Sequence, residues 1–291
     1  MNIRQRIRDL SEFVVFEHTV FSTPFIFIAM IVASRMDNGN GWFGFYLLLV
    51  GAVAAVSARN FAMAFNRLAD RHYDALNPRT ANRPSVDGRL SVKTMTFFVV
   101  CNALLFVGMC SLINTLALML SVPFLAIMAS YSYVKRFSWA AHLVLGLSLG
   151  LAPIAGAVAV LGAIPLWSLL LSAGVTLWVA GFDLLYALMD QEFDRQFGLF
   201  SIPAKFGVRN TLIIARLFHG IALLFWLFFC LSAQLGGLAW LGVCVSGAML
   251  IAEHKIASRG MEHINRAFFT INGYLGVVFF IFIVLDTVWT I

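Results

Sequence analysis

The chain has 291 residues, of which 61% are hydrophobic and only 12% charged, and its mean hydropathy is +0.88. Soluble domains carry about a quarter of their residues as charge, so a soluble globular fold is excluded. A transmembrane β-barrel needs polar and apolar residues alternating over about 10-residue segments, and stretches such as 277–285, apolar at every position, exclude that too.

What remains is an all-α, polytopic membrane helix bundle in one domain, 1–291. A bilayer core roughly 30 Å thick needs about 20 apolar residues per helix, and nine such stretches are predicted in chain order. The basic N-terminus leads into span one, 14–33, which is too long and lacks the cleavage site of a secretory signal. Glu17 and His18 at its start read as interfacial packing. Span two, 42–66, contains Arg59 and runs into a polar segment beginning at Asn66. Spans three and four follow at 92–113 and 116–134, the latter ending near Tyr131 and Lys135. Spans five and six, 141–161 and 165–189, precede Asp190 and Asp194. Spans seven, eight and nine fall at 210–231, 238–253 and 267–289, with Glu253 and His254 ending span eight and Asp286 interfacial near the far end of span nine. Cys101, Cys110, Cys230 and Cys244 lie far apart in apolar stretches and read as small core residues.

The positive charges orient these spans. Of the 20 Lys and Arg, Arg35 falls on one side, Arg59 lies inside a span, and all the rest fall on alternate loops of the other side. By the positive-inside rule the N-terminus and the polar loops are cytoplasmic and the C-terminus is outside. Topology therefore accounts for the net charge of +6 without a nucleic-acid partner.

Two acidic clusters stand on the cytoplasmic side. Asn66, Asp70 and Asp74 are spaced i, i+4, i+8, so they share one helix face. Asp183, Asp190 and Asp194 share another, since seven residues make nearly two turns. Aligned carboxylates repel unless a cation stands between them. Mg2+ is the natural occupant, because it takes one or two carboxylates and completes its shell with water and phosphate oxygens. Two facing clusters would clamp a diphosphate, with Arg79, Arg83, Lys135 and Arg195 available for its remaining charge. A diphosphate that arrives from the lipid phase suggests a polyprenyl diphosphate, its tail in an apolar groove that some of the 28 Phe could line.

These residues resemble the UbiA superfamily of intramembrane prenyltransferases. The resemblance rests on Asn66-x-x-x-Asp70-x-x-x-Asp74, on 77–84 (Asn-Pro-Arg-Thr-Ala-Asn-Arg-Pro), on Tyr131-x-x-x-Lys135, and on Asp183 with Asp190-x-x-x-Asp194, all in the expected order. It implies a bundle around a central cavity, Mg2+ and diphosphate at Asn66, Asp70, Asp74, Asp183, Asp190 and Asp194, and transfer of a prenyl group to an aromatic ring. The 77–84 stretch is most similar to the 4-hydroxybenzoate polyprenyltransferase branch, with relatives acting on naphthoate acceptors such as 1,4-dihydroxy-6-naphthoate as the alternative. The expected setting is quinone biosynthesis in a bacterial inner membrane.

Under that resemblance Asp70, Asp190, Tyr131 and Lys135 are the catalytic residues, while Asn66, Arg79 and Arg83 bind substrate. Arg59 is expected to hold the acceptor's carboxylate, because it precedes Asn66 by seven residues on the same face, roughly 10 Å deeper, and an intramembrane charge is costly. Haem or chlorophyll prenylation would need a macrocycle pocket. Transport sites usually lie near the midplane on broken helices, whereas these carboxylates gather at one membrane face.

Overall fold

A computed structural model describes residues 3–14, 23–260 and 270–289. Glu17 and His18 lie outside the described residues. The described chain is helical: α1 (Ile3–Val14), α2 (Thr23–Asn38), α3 (Gly44–Ala69), α4 (Arg71–Leu76), α5 (Val92–Ile113), α6 (Thr115–Val134), α7 (Ala141–Leu161), α8 (Leu166–Ala187), α9 (Gln191–Gln196), α10 (Ile202–Ser232), α11 (Gly237–Ala257) and α12 (Asn272–Trp289). A 3-10 turn, Leu188–Asp190, joins α8 to α9.

Seven of these, α3, α5, α6, α7, α8 with its α9 extension, α10 and α11, are long and apolar enough to cross a membrane. Expected spans two to eight coincide with them. At the ends the helices differ from the expectation. Residues 3–14 form α1, which was not expected as a helix, and of expected span one, 14–33, residues 15–22 lie outside the described residues. α2 and α12, with 16 and 18 residues, stand where spans one and nine are expected. Many large apolar side chains, among them Phe97, Leu104, Met119 and Leu224, are more than half exposed, as a lipid-facing surface requires.

The bundle is organised around α8, which packs against α7 and α10 and is the most enclosed of the seven. Lipid tails are as apolar as Leu, so intramembrane helices associate through close packing at small residues rather than hydrophobic burial. Gly146 and Gly150 of α7 press onto the α8 backbone at Thr176 and Ser172, and Ser172 Oγ donates to the Gly150 carbonyl at 2.5 Å. Gly174 and Gly181 of α8 make room for Trp226 and His219 of α10. One core joins α2, α8, α10 and α12 through Phe25, Trp178, Trp226 and Phe279, with Trp226 stacked on Phe279 at 5.1 Å. A second joins α1, α3, α5 and α6 through Phe13, Phe61, Met95, Phe106 and Met128.

Several polar side chains inside the bundle bond one another. Trp178 Nε1 donates to Asn272 Oδ1 at 2.9 Å, and Asn272 Nδ2 donates to Glu253 Oε1 at 2.6 Å. Glu253 is therefore a fully buried residue within α11, not the end of a span. Asp286 is buried as well, where an interfacial position was expected. It accepts from the backbone N–H groups of Gly236, Leu238 and Ala239 at 2.7, 3.1 and 3.2 Å. The first N–H groups of a helix have no partner within it, so this carboxylate caps α11 from a neighbouring helix. All four cysteines are free.

Candidate active site

The Asn66-Asp70-Asp74 face survives a break in the helix. Asp70 separates α3 from α4 with φ −91° and ψ 5°, yet its N–H still bonds the Asn66 carbonyl and the Asp74 N–H bonds the Asp70 carbonyl, both at 2.8 Å. The i, i+4 alignment is preserved across the junction. Asp190 occupies the same kind of junction after α8, with φ −103° and ψ 5°.

Both motifs open onto one cavity of about 220 Å³. Its wall includes Asn66, Asp70, Asp74, Tyr131, Lys135, Asp183, Asp190, Asp194, Arg79 and Arg83, with Phe193, Phe200 and Leu145 as apolar lining. Every sequence-predicted site residue except Arg59 and Arg195 is thus brought together. Arg59 Nη1 donates to the Val14 carbonyl at 3.0 Å, at the end of α1, and Arg59 is not part of the cavity wall. Arg195 pairs with Glu192 at 3.5 Å on the surface, away from the cavity.

The loop after α4 ties the two motifs together. Asn77 Nδ2 donates to Asp190 Oδ1 at 3.0 Å. Arg79 grips both oxygens of Asp190, Nε to Oδ1 at 2.9 Å and Nη2 to Oδ2, while its Nη1 donates to the Tyr186 hydroxyl at 2.7 Å. Arg83 pairs with Asp74 at 2.7 Å, Arg136 with Asp70 at 3.3 Å, Lys135 with Asp194 at 4.0 Å, and His142 Nδ1 with Asp183 at 2.6 Å. Each of the five aspartates is therefore paired with a basic side chain. Burial nevertheless pushes the Asp70 carboxyl above the ordinary carboxylate range, against the opposing pull of Lys135 and Arg136.

The arrangement is that of a family. Residues 22–284 match the model of the UbiA prenyltransferase family. The chain belongs to the UbiA prenyltransferase family. Among curated proteins it is 30% identical over 234 residues to a 4-hydroxybenzoate octaprenyltransferase of Chromohalobacter salexigens, covering 80% of this chain and 78% of that one. It is 32% identical to one of Yersinia pseudotuberculosis, with 82% and 83% covered. The solved apo structure of a UbiA homolog from Aeropyrum pernix superposes with a TM-score of 0.84 at 33% identity, covering 93% and 98%. A UbiA homolog from Archaeoglobus fulgidus bound to DMAPP and Mg2+ shares the fold, with a TM-score of 0.71 at 18% identity, covering 97% and 100%.

The donor set of this prenyltransferase fits a hard divalent cation. It consists of carboxylate and amide oxygens, and two of them, Asp74 Oδ2 and Asp194 Oδ1, are buried without a hydrogen bond. Among the described residues no three His, Cys, Asp or Glu side chains converge on one point. Each ion would therefore take one or two protein oxygens and fill its shell with water and phosphate, as Mg2+ does.

Sequence reading missed His142, Asn77, Tyr186 and Arg136. His142 and Asp183 are 41 residues apart on different helices, so only the tertiary fold announces their contact. Arg136 follows Lys135 in a loop whose charge sets only the topology in sequence, whereas its guanidinium lies over the rings of Tyr133 and Tyr73 at 4.7 and 5.4 Å. Asn77 carried a signal: it is a side-chain amide beside Pro78 and Arg79 in the stretch that supports the family resemblance.

Proposed function

We propose that this UbiA-family prenyltransferase moves a polyprenyl group from polyprenyl diphosphate to the ring of an aromatic acid of the 4-hydroxybenzoate type. The reaction is Mg2+-dependent and belongs to quinone biosynthesis in a bacterial inner membrane, with the cavity facing the cytoplasm. One observation carries the reading: two aspartate motifs and the basic loop between them meet around a single cavity. The naming of similar proteins as 4-hydroxybenzoate octaprenyltransferases supports the choice of acceptor.

A divalent cation held by Asp70, Asp74, Asp190 and Asp194 would neutralise charge on the departing diphosphate, which lowers the barrier to breaking the allylic C–O bond. The chain's own residues do the rest of the positioning. Arg79, Arg83 and Lys135 exchange aspartate oxygens for phosphate oxygens as the donor enters, so cationic charge does not have to be recruited from water. Tyr131, one helical turn inside Lys135, faces the reacting carbon. Phe193, Phe200 and Leu145 keep water from the cation that develops there.

A product assay tests the proposal: purified protein with Mg2+, a polyprenyl diphosphate and 4-hydroxybenzoate should yield the prenylated acid by mass spectrometry. Turnover of 1,4-dihydroxy-6-naphthoate alone would move the acceptor to the naphthoate class, and turnover of neither would sink the aromatic-acid reading. Arg59 has its own test. Its Nη1 bonds the Val14 carbonyl, and a guanidinium has further N–H donors with which to hold the acceptor's carboxylate. Arg59→Lys, which cannot form the bidentate pair, is then expected to raise the acceptor KM about 10- to 100-fold and leave the donor KM nearly unchanged. Equal KM values in mutant and wild type would leave Arg59 as the anchor of α1.

A further inference from the structure

Arg67 lies on α3, next to Asn66, and is only 6% exposed. Its Nη1 is fully buried and has no hydrogen-bond partner. The guanidinium is within electrostatic reach of Asp74, Arg83, Tyr131 and Tyr186, all of which line the cavity. It forms no ion pair with Asp74, whose Oδ1 is taken by Arg83 and whose Oδ2 is also buried without a partner.

A buried cation with no anion is costly, since burial strips its hydration and nothing replaces it. The basic residues at the rim do not carry that cost. Arg79, Arg83, Arg136 and Lys135 each face an aspartate. Arg67 is the uncommitted positive charge beside this cavity among the described residues. It is also set inward. Tyr131 and Tyr186 each precede a rim residue, Lys135 and Asp190, by four positions, about one turn or 6 Å. Side chains on a helix lean toward its N-terminus, which for α3 means away from the rim.

We propose that Arg67 is a substrate-binding residue that takes an anionic oxygen of the donor's diphosphate from the inner side of the site. The inference rests on the prenyl-transfer reading and adds a residue to it. Arg79, Arg83 and Lys135 must leave their aspartates to reach the diphosphate, whereas Arg67, which forms no ion pair, supplies charge that no aspartate has claimed. It holds the diphosphate from the end where the allylic carbon leaves.

Equilibrium binding to the detergent-solubilised full chain tests this with two separate probes, inorganic diphosphate with Mg2+, and 4-hydroxybenzoate. Arg67→Met is expected to weaken diphosphate binding about 10- to 100-fold and to leave 4-hydroxybenzoate binding within about twofold. Arg67→Lys, which keeps the charge and guards against a folding defect in the first variant, should bind diphosphate with an affinity between the two. In turnover both variants should raise the donor KM more than they lower kcat. Wild-type diphosphate binding in either variant would overturn the proposal, as would a loss confined to 4-hydroxybenzoate. Failure of the wild type itself to bind diphosphate would overturn the prenyl-transfer reading and, with it, this inference.

Discussion

Asp70→Ala and Asp190→Ala are each expected to lower prenyl transfer at least about 10²- to 10³-fold, the scale on which removal of one preorganised electrostatic contact acts. The two variants test different halves of the site. Asp70 is the middle residue of the first motif and accepts from Asn66 Nδ2 at 2.9 Å. Asp190 is the middle residue of the second and is where Asn77 and Arg79 cross over from the loop after the first. Removal of Asp190 also strands the Arg79 guanidinium, so a folding defect could mimic a catalytic one. Asp190→Asn separates the two, because it keeps the shape and an acceptor oxygen while removing the charge. It should lose activity while keeping a thermal midpoint nearer the wild type than that of Asp190→Ala. Excess chelator should abolish turnover, with recovery on adding Mg2+. Full activity in either aspartate variant, or turnover indifferent to chelator, would remove the metal–diphosphate reading.

The two aspartate faces were legible because helical periodicity is local. Spacings of four and seven residues decide which side chains point together, even though the chain breaks its helix at Asp70 and tightens into a 3-10 turn before Asp190. Backbone bonds that still run from i to i−4 at Asp70 and Asp74 are the physical reason the inference survived the break. The long central spans were legible for a similar reason, since membrane thickness sets their length. The N-terminal helix α1 was not, because its short stretch of charged and apolar residues is too polar to read as a span. Here Phe13 and Val14 are buried in the α1–α3–α5–α6 core.

Arg59 and Arg67 mark the limit of reading depth from spacing. Periodicity puts Arg59 on the face of Asn66, whereas Arg67, the next residue, is turned about 100° away from that face, so Arg59 drew attention. A long guanidinium, however, reaches acceptors off its own helix face, and α1 supplied one to Arg59. No acceptor was supplied to Arg67. Pairings such as Arg79 with Asp190, 111 residues away, and His142 with Asp183 belong to the same class: they arise from helix packing, which spacing along one helix does not encode.

That packing can itself be tested at the site. Gly146 and Gly150 are four apart on α7, and a Cβ at Gly146 would meet the Thr176 carbonyl, with the Thr176 carbonyl carbon at 3.1 Å and the Ala180 nitrogen at 3.2 Å. These neighbours are backbone atoms of α8 and cannot turn aside as a side chain would, so the helices must separate. His142 lies one turn along the same face of α7 and holds Asp183 of α8 at 2.6 Å, a contact that a shift of about 1 Å breaks. Gly146→Ala is therefore expected to lower stability by about 1–3 kcal/mol and Gly146→Leu by more, each measured as a lower thermal midpoint in detergent. Activity should fall as well, up to about 10²-fold, because misplacement of reacting groups by about 1 Å costs that much. Gly220→Leu is the control: Gly220 faces open space on α10, and its substitution should change neither reading. A Gly146→Leu protein with the midpoint and turnover of the wild type would show that the α7–α8 contact neither holds the bundle together nor sets the position of Asp183.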